Sequence, residues 1–394
     1  MSDQIVIAGM ARTPQGGLQG DLSAVPAPQL GAVAVKAALN SAGVNPAEVD
    51  ETIMGCVLPA GLRQAPARQA SIGAGIPAST GCTTVNKMCG SAMKAVMLGY
   101  DAIRAGSADC IVAGGMESMS NAPYLVLKAR SGLRLGHGEM VDHMFFDGLE
   151  DAYDQGKLMG SYAEDCAGKY GFTREMQDAY AIESLTRAQR AIKEGKFKEE
   201  IEPVTVKTRK GEFIVDTDEQ PGKANIEKIP TLRPAFAKDG TVTPANSSSI
   251  SDGAAAVVLL KESDAESRAI TPLAQLHTHS SHAQEPGWFT TAPVGAIKKV
   301  LEKTGWSVAD VDLFEVNEAF AVVAMAAMHE LKIPHDKLNV NGGACALGHP
   351  VGASGARIMV TLIAALKDRG LKRGVASLCI GGGEATAVAL ELLS

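Results

Sequence analysis

The chain has 394 residues, of which 46% are hydrophobic and 21% are charged, and its formal net charge is −7. This composition is typical of a globular protein with two or three domains and excludes an intrinsically disordered chain. Because the net charge is negative and no long basic run occurs, nucleic acid is excluded as a partner. Seven scattered cysteines without a CxxC pair exclude a zinc ribbon and a disulfide framework, and they indicate a reducing compartment.

The N-terminal residues and the hydropathy pattern indicate a cytoplasmic protein. The chain starts without the basic and apolar regions of a signal peptide, and no apolar run reaches the roughly 18 residues that span a bilayer. No GxGxxG motif follows a strand and opens a helix, which excludes a dinucleotide site. We therefore expect no membrane association, no resident cofactor and no metal.

The first 120 residues alternate between predicted strands and predicted helices. Short apolar runs predict strands at residues 5–8, 53–57 and 109–113. Helical periodicity predicts helices at residues 30–41, 68–74 and 93–105. This alternation indicates an α/β fold with a mostly parallel sheet and helices on both faces. The abundance of glycine, 42 residues, favours close packing of helices on that sheet.

Residues 121–246 have a different character, because charges, glycines and turn residues are frequent there. One helix is predicted at residues 173–193, with Thr173 as its cap. We interpret this segment as an insertion that folds over the sheet, since long excursions of this kind are often functional. Regular strand patterning returns at residues 254–260.

An internal repeat relates the two ends of the chain. Six residues recur at a constant offset, namely Lys36, Leu39, Gly43, Ala47, Val49 and Asp50 in Lys298, Leu301, Gly305, Ala309, Val311 and Asp312. We also align Gly114–Glu117 with Gly381–Glu384, each interpreted as following a strand. The repeat predicts two similar halves whose strand-end loops surround a shared cleft.

Cys89 is the first candidate for chemistry. Strand-like residues 83–85 precede it, and Gly90 and Ser91 open a predicted helix after it. A cysteine at a helix N-terminus lies at the positive end of the helix dipole, which favours the nucleophilic thiolate. The alternative is a small, inert core cysteine, and the local sequence leaves both interpretations open.

A second candidate, His349, lies in the glycine-rich segment from residue 341 to residue 357. So many glycines indicate a loop whose backbone passes close to another group. An imidazole there can take a proton from a thiol and stabilise an oxyanion. The alternative is a structural histidine held by hydrogen bonds.

The third candidate, Cys379, ends a predicted strand just before Gly381, Gly382 and Gly383. The glycine N–H groups can form an anion hole, and the thiol can serve as an acid and base. The alternative is ordinary packing at a strand end followed by a turn. Asn317 is either a helix N-cap or a residue that orients water or the histidine, and Ser248 lies either in an exposed turn or against a ligand's amide arm.

Taken together, these segments closely resemble the thiolases, and acetyl-CoA C-acetyltransferases in particular, over nearly the whole chain. The motifs that carry the resemblance are Asn86–Ser91, Gly114–Ser120, Asn317–Phe320, the glycine loop through His349, and Cys379–Gly383. The resemblance implies two βαβαβαββ halves related by a pseudo-twofold axis, forming a layered α-β-α-β-α sandwich. It places an N-terminal half at residues 1–120 and 247–270, an inserted loop domain at 121–246, and a C-terminal half at 271–394.

The resemblance also implies roles for individual residues. Cys89 would carry the acyl group, His349 would activate it, and Cys379 would move the proton on carbon. One oxyanion hole would use His349 with a water held by Asn317, and the other would use the N–H groups of Cys89 and Gly381. Ser248 would meet the pantetheine arm. The acyl pocket would be lined by Leu149, Met159, Phe236, Phe289, Ala319 and Phe320.

Three features depart from the common thiolase pattern. Ala92 replaces a frequent glycine, Leu158 replaces the histidine often found before Met-Gly, and residues 219–230 differ in length and charge. The last two leave the chain-length preference and the nucleotide contacts open. Lys223 and Lys228 are candidates for contacts with the phosphates of coenzyme A.

The expected activity is a reversible Claisen condensation of two acetyl-CoA molecules to acetoacetyl-CoA and coenzyme A, by a ping-pong mechanism in a homotetramer. The partners would be these thioesters, other 3-ketoacyl-CoA molecules and coenzyme A. Alternatives are a broader-chain 3-ketoacyl-CoA thiolase, a ketoacyl-synthase-type enzyme, for which histidine is expected at position 379, and an acyl-CoA hydrolase. A non-catalytic lipid-transfer or metal-binding protein is a further alternative.

Overall fold

The structure of the protein is a computed structural model that describes residues 3–209 and 211–393. Within those ranges the strands are β1 (Ile5–Arg12), β2 (Gly16–Gly17), β3 (Glu51–Gly55), β4 (Gly81–Val85), β5 (Cys110–Ser118), β6 (Tyr124–Leu125), β7 (Val141–Asp142), β8 (Val204–Thr208), β9 (Gly211–Val215), β10 (Ser251–Lys261), β11 (Ala274–Ala283), β12 (Leu313–Val316), β13 (Arg373–Ile380) and β14 (Glu384–Leu392). The α-helices are α1 (Ala27–Ala42), α2 (Pro66–Gly73), α3 (Ser91–Ala105), α4 (Met159–Tyr170), α5 (Arg174–Lys193), α6 (Glu219–Lys223), α7 (Glu262–Ser267), α8 (Ala292–Thr304), α9 (Ala321–Leu331), α10 (Ala344–Leu347) and α11 (Ser354–Arg369).

A large sheet with the strand order β12-β13-β14-β11-β1-β10-β5-β3-β4 forms the framework, and β2 pairs with β10. At its middle β1 and β11 share only a short antiparallel pairing, Val6 with Gln275 and Ile7 with Ala274. Strands β3–β4, β3–β5 and β12–β13 pair in parallel, whereas the other pairs of this sheet are antiparallel. The prediction of a mostly parallel sheet is therefore wrong, because β10, β11 and β14 pair in the opposite sense.

The helices lie in three layers around the two halves of this sheet. Helix α1 packs on β1 and β10, and α8 packs correspondingly on β11 and β14. Between the halves, α3 and α11 pack on each other, with α3 against β3 and β5 and α11 against β10 and β13. This arrangement is the predicted layered α-β-α-β-α sandwich, and α3 and α11 form its central layer.

The first part of the predicted repeat is confirmed at the level of hydrogen bonds. Gly43 and Gly305 end α1 and α8 in the left-handed conformation, with φ of 67° and 71°. Asp50 accepts the N–H groups of Asp109 and Cys110 at the start of β5. Asp312 does the same for Lys372 and Arg373 at the start of β13. Each half therefore uses one carboxylate to position its next strand.

The second part of the repeat is wrong. Residues 114–117 lie inside β5, which was expected to end at residue 113 and continues to Ser118. The three glycines Gly381–Gly383 instead form the turn between β13 and β14. Glycine at position 115 of β5 allows close packing, since a Cβ there would lie 2.0 Å from the carbonyl oxygen of Gly352.

The insertion contains more regular structure than expected. The predicted helix is confirmed as α5, and the side chain of Thr173 accepts the N–H of Met176 as an N-cap. Helix α4 and the β8–β9 hairpin were missed, because α4 carries internal glycines and buries only a narrow face. The domain boundaries remain a prediction, and their outer limits, residues 1 and 394, lie outside the described residues.

The central helices α3 and α11 begin very close to each other. A Cβ on Gly355, in the first turn of α11, would lie 2.4 Å from the backbone nitrogen of Met93 in α3. Glycine is therefore required at position 355, just as it is required at position 115 by the contact with Gly352. Because Cys89 and His349 lie just before the two helices, this contact brings their loops together.

We predict that Gly115→Ala destabilises the protein, because the new methyl group meets backbone atoms that have no room to move. The expected loss is about 1–3 kcal/mol or more in the free energy of unfolding, measured by denaturant titration. Gly168→Ala is the matched control, since it lies in α4 with open space at its Cβ position. The control should gain up to about 1 kcal/mol. Equal effects of the two substitutions would contradict the packing explanation.

Candidate active site

A cavity of about 500 Å³ brings the predicted site residues together. Cys89, His349, Cys379 and Gly381 all line it. So do the residues predicted to contact the substrate, namely Ser248, Leu149, Met159, Phe236, Phe289, Ala319 and Phe320. Most of the remaining lining is apolar, which suits an acyl chain next to a few polar groups. The catalytic roles of these residues remain predictions.

Cys89 lies in a turn that its own neighbours hold in place. Strand β4 ends at Val85 and α3 begins at Ser91, as the sequence predicts. Met88 adopts a left-handed φ of 47°, and its N–H donates to Oδ1 of Asn86 at 2.9 Å. The hydroxyl of Ser91 accepts the N–H of Lys87 and donates to the carbonyl of Met88. These bonds set the direction of the Cys89 side chain.

The Cys89 thiol is protonated at rest, because burial raises its pKa to about 11. The N–H groups of Gly381 and of Cys89 itself act in the opposite sense, and the charge of Glu117 adds to the rise. Desolvation therefore outweighs the backbone N–H groups that favour the thiolate at this position. Reaction at this sulfur requires a neighbouring base.

His349 lines the same cavity, and its imidazole is neutral. Burial, followed by the positive charge of Arg357, lowers its pKa to about 3. Its backbone N–H donates to the carbonyl of Ser249 and lies 3.2 Å from Oγ of Ser251. Its Nδ1 lies 2.5 Å from Oγ of Ser354. Hydrogen bonds therefore hold both the backbone and the imidazole ring of His349 in place.

Asn317 contacts His349 from behind and is not among the residues that line the cavity. Its amide nitrogen lies 3.4 Å from Nδ1 and 3.5 Å from Nε2 of the imidazole. Its amide oxygen accepts a hydrogen bond from Nη2 of Arg357 at 3.4 Å. The N-cap interpretation is wrong, since α9 begins at Ala321 and Phe320 is its N-cap residue.

Cys379 is the penultimate residue of β13, directly before Ile380 and the glycine turn. Burial raises the pKa of its thiol, and a charge on Cys89 would raise it further. Gly382 and Gly383 adopt φ of 91° and 87°, which lets the chain reverse sharply into β14. That reversal directs the Gly381 N–H towards the Cys89 sulfur. Both thiols are therefore protonated, and ionisation of Cys89 would make ionisation of Cys379 less favourable.

Glu117 is a buried residue of this region to which the sequence analysis assigned no role. Its carboxylate accepts N–H groups from Val57, Leu58 and Gly352 at 2.9–3.1 Å. Burial raises its pKa to about 7, against the effect of these donors. The signal available in the sequence was a lone carboxylate among small and apolar residues. Through these hydrogen bonds, the Glu117 carboxylate joins the loop after β3 to the glycine loop that carries His349.

The contacts expected for coenzyme A are only partly supported. Ser248 lines the cavity, and its hydroxyl donates to the carbonyl of Ala319 at 3.0 Å. Lys228 lines a second cavity of about 270 Å³, which shares Pro244 and Ser249 with the first. Lys223 instead forms an ion pair with Glu219.

Three further findings concern the chain as a whole. All seven cysteines are free thiols. Among residues 3–209 and 211–393, no group of three or more His, Cys, Asp or Glu residues has a geometry that suits a metal ion. Over the same residues, every helix is too short or too polar to cross a bilayer.

Comparison with known proteins gives consistent matches over nearly the whole chain. Acetyl-CoA acetyltransferase 2 of Arabidopsis thaliana is 52% identical over 392 residues, which cover 99% of this chain and 97% of that protein. Acetyl-CoA acetyltransferase of Cupriavidus necator is 49% identical and covers 98% of this chain and 99% of its own.

Solved structures and family models agree with these relatives. The acetyl-CoA acetyltransferase of Bacillus anthracis has a TM-score of 0.97 and 40% identity, covering 100% of this chain and 99% of that one. The Acat5 thiolase of Ascaris suum in complex with coenzyme A has a TM-score of 0.93 and 42% identity, covering 99% and 100%. The N-terminal thiolase domain matches residues 5–263 and the C-terminal thiolase domain matches residues 270–392, and the chain therefore belongs to the thiolase family.

Proposed function

We propose that the protein is an acetyl-CoA C-acetyltransferase that converts two acetyl-CoA molecules into acetoacetyl-CoA and coenzyme A, and catalyses the reverse thiolysis. The observation that carries this proposal is that two protonated thiols and one neutral imidazole line the same cavity. One thiol can hold an acyl group while the other moves a proton on carbon. Full-length relatives named acetyl-CoA acetyltransferase support this assignment.

In the first half-reaction, His349 takes the proton of Cys89. The sulfur then attacks the carbonyl carbon of acetyl-CoA, a new C–S bond forms, and the bond to coenzyme A breaks. The departing thiolate receives the proton from His349. The N–H groups of Cys89 and Gly381 are proposed to hold the oxyanion, since both already point at the Cys89 sulfur. One positioned donor of this kind is worth on the order of 10²–10³ in rate.

In the second half-reaction, Cys379 gives its proton to Nε2 of His349, and the resulting thiolate takes an α-proton from a second acetyl-CoA. The carbanion attacks the acyl carbon on Cys89, so that the C–C bond forms and the C–S bond to Cys89 breaks. The departing Cys89 thiolate then takes the proton from His349. A charge on Cys89 would raise the pKa of Cys379 further. Once Cys89 is a thioester it can no longer ionise, so the Cys379 thiolate forms without a second thiolate beside it. While His349 carries the proton from Cys379, its Nε2–H is proposed to stabilise the enolate oxygen, with Asn317 beside the ring.

The substrate path follows from the two adjoining cavities. We place the pantetheine arm beside Ser248 and the nucleotide end near Lys228, whose cavity adjoins the first at Pro244 and Ser249. Lys223 is a weaker candidate for a phosphate contact, because it is already paired with Glu219.

The homotetramer and the cytoplasmic location are also proposals. Self-association is supported by β4, whose side chains are partly exposed at the edge of the large sheet, and by exposed apolar residues between β5 and α4. Those residues include Tyr124, Leu127, Leu135 and Met140. Patches of this kind often mark interfaces between subunits, and sedimentation analysis would test the tetramer. Seven free thiols support a reducing compartment, which fractionation of cells would test.

We expect the purified protein to form acetoacetyl-CoA from acetyl-CoA and to become labelled at Cys89 by radioactive acetyl-CoA. Cys89→Ala should abolish both the product and the label, because the variant lacks the sulfur proposed to hold the acetyl group. Mass spectrometry of the protein and chromatography of the products provide the measurements. Stoichiometric labelling of the Cys89→Ala variant would refute the assignment, and free acetate as the sole product would indicate a hydrolase.

Cys379→Ala is expected to separate the two half-reactions. Acylation of Cys89 should persist near the wild-type rate, whereas condensation should fall by about 10²–10⁴-fold, the usual contribution of a general base. The burst of coenzyme A release reports acylation, and steady-state formation of acetoacetyl-CoA reports condensation. A condensation rate equal to that of the wild type would rule out the proposed role.

A further inference from the structure

We propose that Ser354 is a positioning residue that fixes the tautomer of His349, so that Nδ1 carries the hydrogen and Nε2 presents its lone pair to the cavity. This inference rests on the function proposed above, in which His349 takes the proton of Cys89. It concerns a residue outside the cavity lining, in the first turn of α11.

The hydrogen bonds around Ser354 allow one consistent arrangement. Its Oγ lies 2.5 Å from Nδ1 of His349 and 2.9 Å from the carbonyl oxygen of Pro350. A serine hydroxyl has a single hydrogen and two lone pairs. If that hydrogen is donated to the Pro350 carbonyl, the contact with the imidazole requires a hydrogen on Nδ1. The ring then keeps its lone pair on Nε2.

The position of Ser354 explains why this arrangement is rigid. Ser354 and Arg357 lie one turn apart on α11, and both are buried. Gly355, between them, lies against the backbone of α3. The first turn of α11 is therefore held against the helix that follows Cys89. A shift of Ser354 relative to the Cys89 turn would require the two central helices to separate.

This geometry has a direct chemical consequence. A neutral imidazole can accept the proton of Cys89 only through the nitrogen that lacks a hydrogen. With Nδ1 occupied, that nitrogen is Nε2. The hydrogen acquired at Nε2 during acylation is then the one that returns to the departing coenzyme A thiolate. Ser354 acts through His349 and does not touch the substrate.

The kinetic test uses Ser354→Ala and single-turnover release of coenzyme A from acetyl-CoA. Acylation should slow by about 10–100-fold, the usual effect of removing a partner that orients a functional histidine. The matched control is Ser280→Ala, whose hydroxyl is also buried and donates to a backbone carbonyl, that of Ala296 at 2.7 Å. The control should acylate at the wild-type rate. An acylation rate in Ser354→Ala equal to that of the control would overturn the proposal.

A spectroscopic test does not depend on turnover or on the folding of Ser354→Ala. Solid-state ¹⁵N NMR of histidine-labelled wild-type protein should show His349 with a protonated Nδ1 and an unprotonated Nε2, assigned by the signals lost in His349→Asn. A protonated Nε2 in the resting protein would overturn the proposal. Failure of the wild-type protein to acylate Cys89 would instead refute the proposed function, while the tautomer would still be read from the spectrum.

Discussion

The close approach of the two central helices is the constraint on which the rest of the site depends. Helices α3 and α11 begin side by side because Gly355 places no side chain between their backbones, and because Gly115 in β5 leaves room for Gly352 and Ala92 at the two helix starts. Each helix follows a loop that carries one reactive group, so the contact between the helices also sets the relation between Cys89 and His349. The third group, Cys379, comes from the end of β13, against which α11 packs. The two halves of the fold therefore place different groups at equivalent positions. A thiol lies before one central helix and an imidazole lies before the other.

Buried polar groups stabilise this arrangement at the points where the halves meet. Glu117 accepts N–H groups from the loop after β3 and from Gly352 in the glycine loop, and so it ties the two loops to one carboxylate. Burial of a carboxylate is unfavourable unless its oxygens are hydrogen-bonded, which explains why three donors converge there. Arg357 plays a similar part for Asn317, since one guanidinium sets the orientation of the amide behind the imidazole. These contacts stabilise loops that their own glycines would leave free to move.

The sequence was informative wherever a feature depends on neighbouring residues, and less so where it depends on distant ones. The turn from β4 through Cys89 into α3 was predictable, and so were the matching caps at Gly43 and Gly305, because these are local. The antiparallel orientation of β10 to its neighbours β1 and β5, and of β14 to its neighbours β11 and β13, was not predictable. A hydrophobic pattern does not reveal strand direction. The protonated state of Cys89 was missed for a related reason. The position of Cys89 before a helix follows from local sequence, whereas the desolvation that raises its pKa comes from a cavity assembled by both halves.

The resting protonation states explain how one cavity can hold two thiols without their competing as nucleophiles. Two thiolates in a small apolar cavity would repel each other, and burial already raises the pKa of both sulfurs. Cys89 is proposed to lose its proton to the imidazole first and to be acylated. A thioester cannot ionise, so Cys379 can then lose its proton without a second thiolate beside it. The two sulfurs are therefore never charged together.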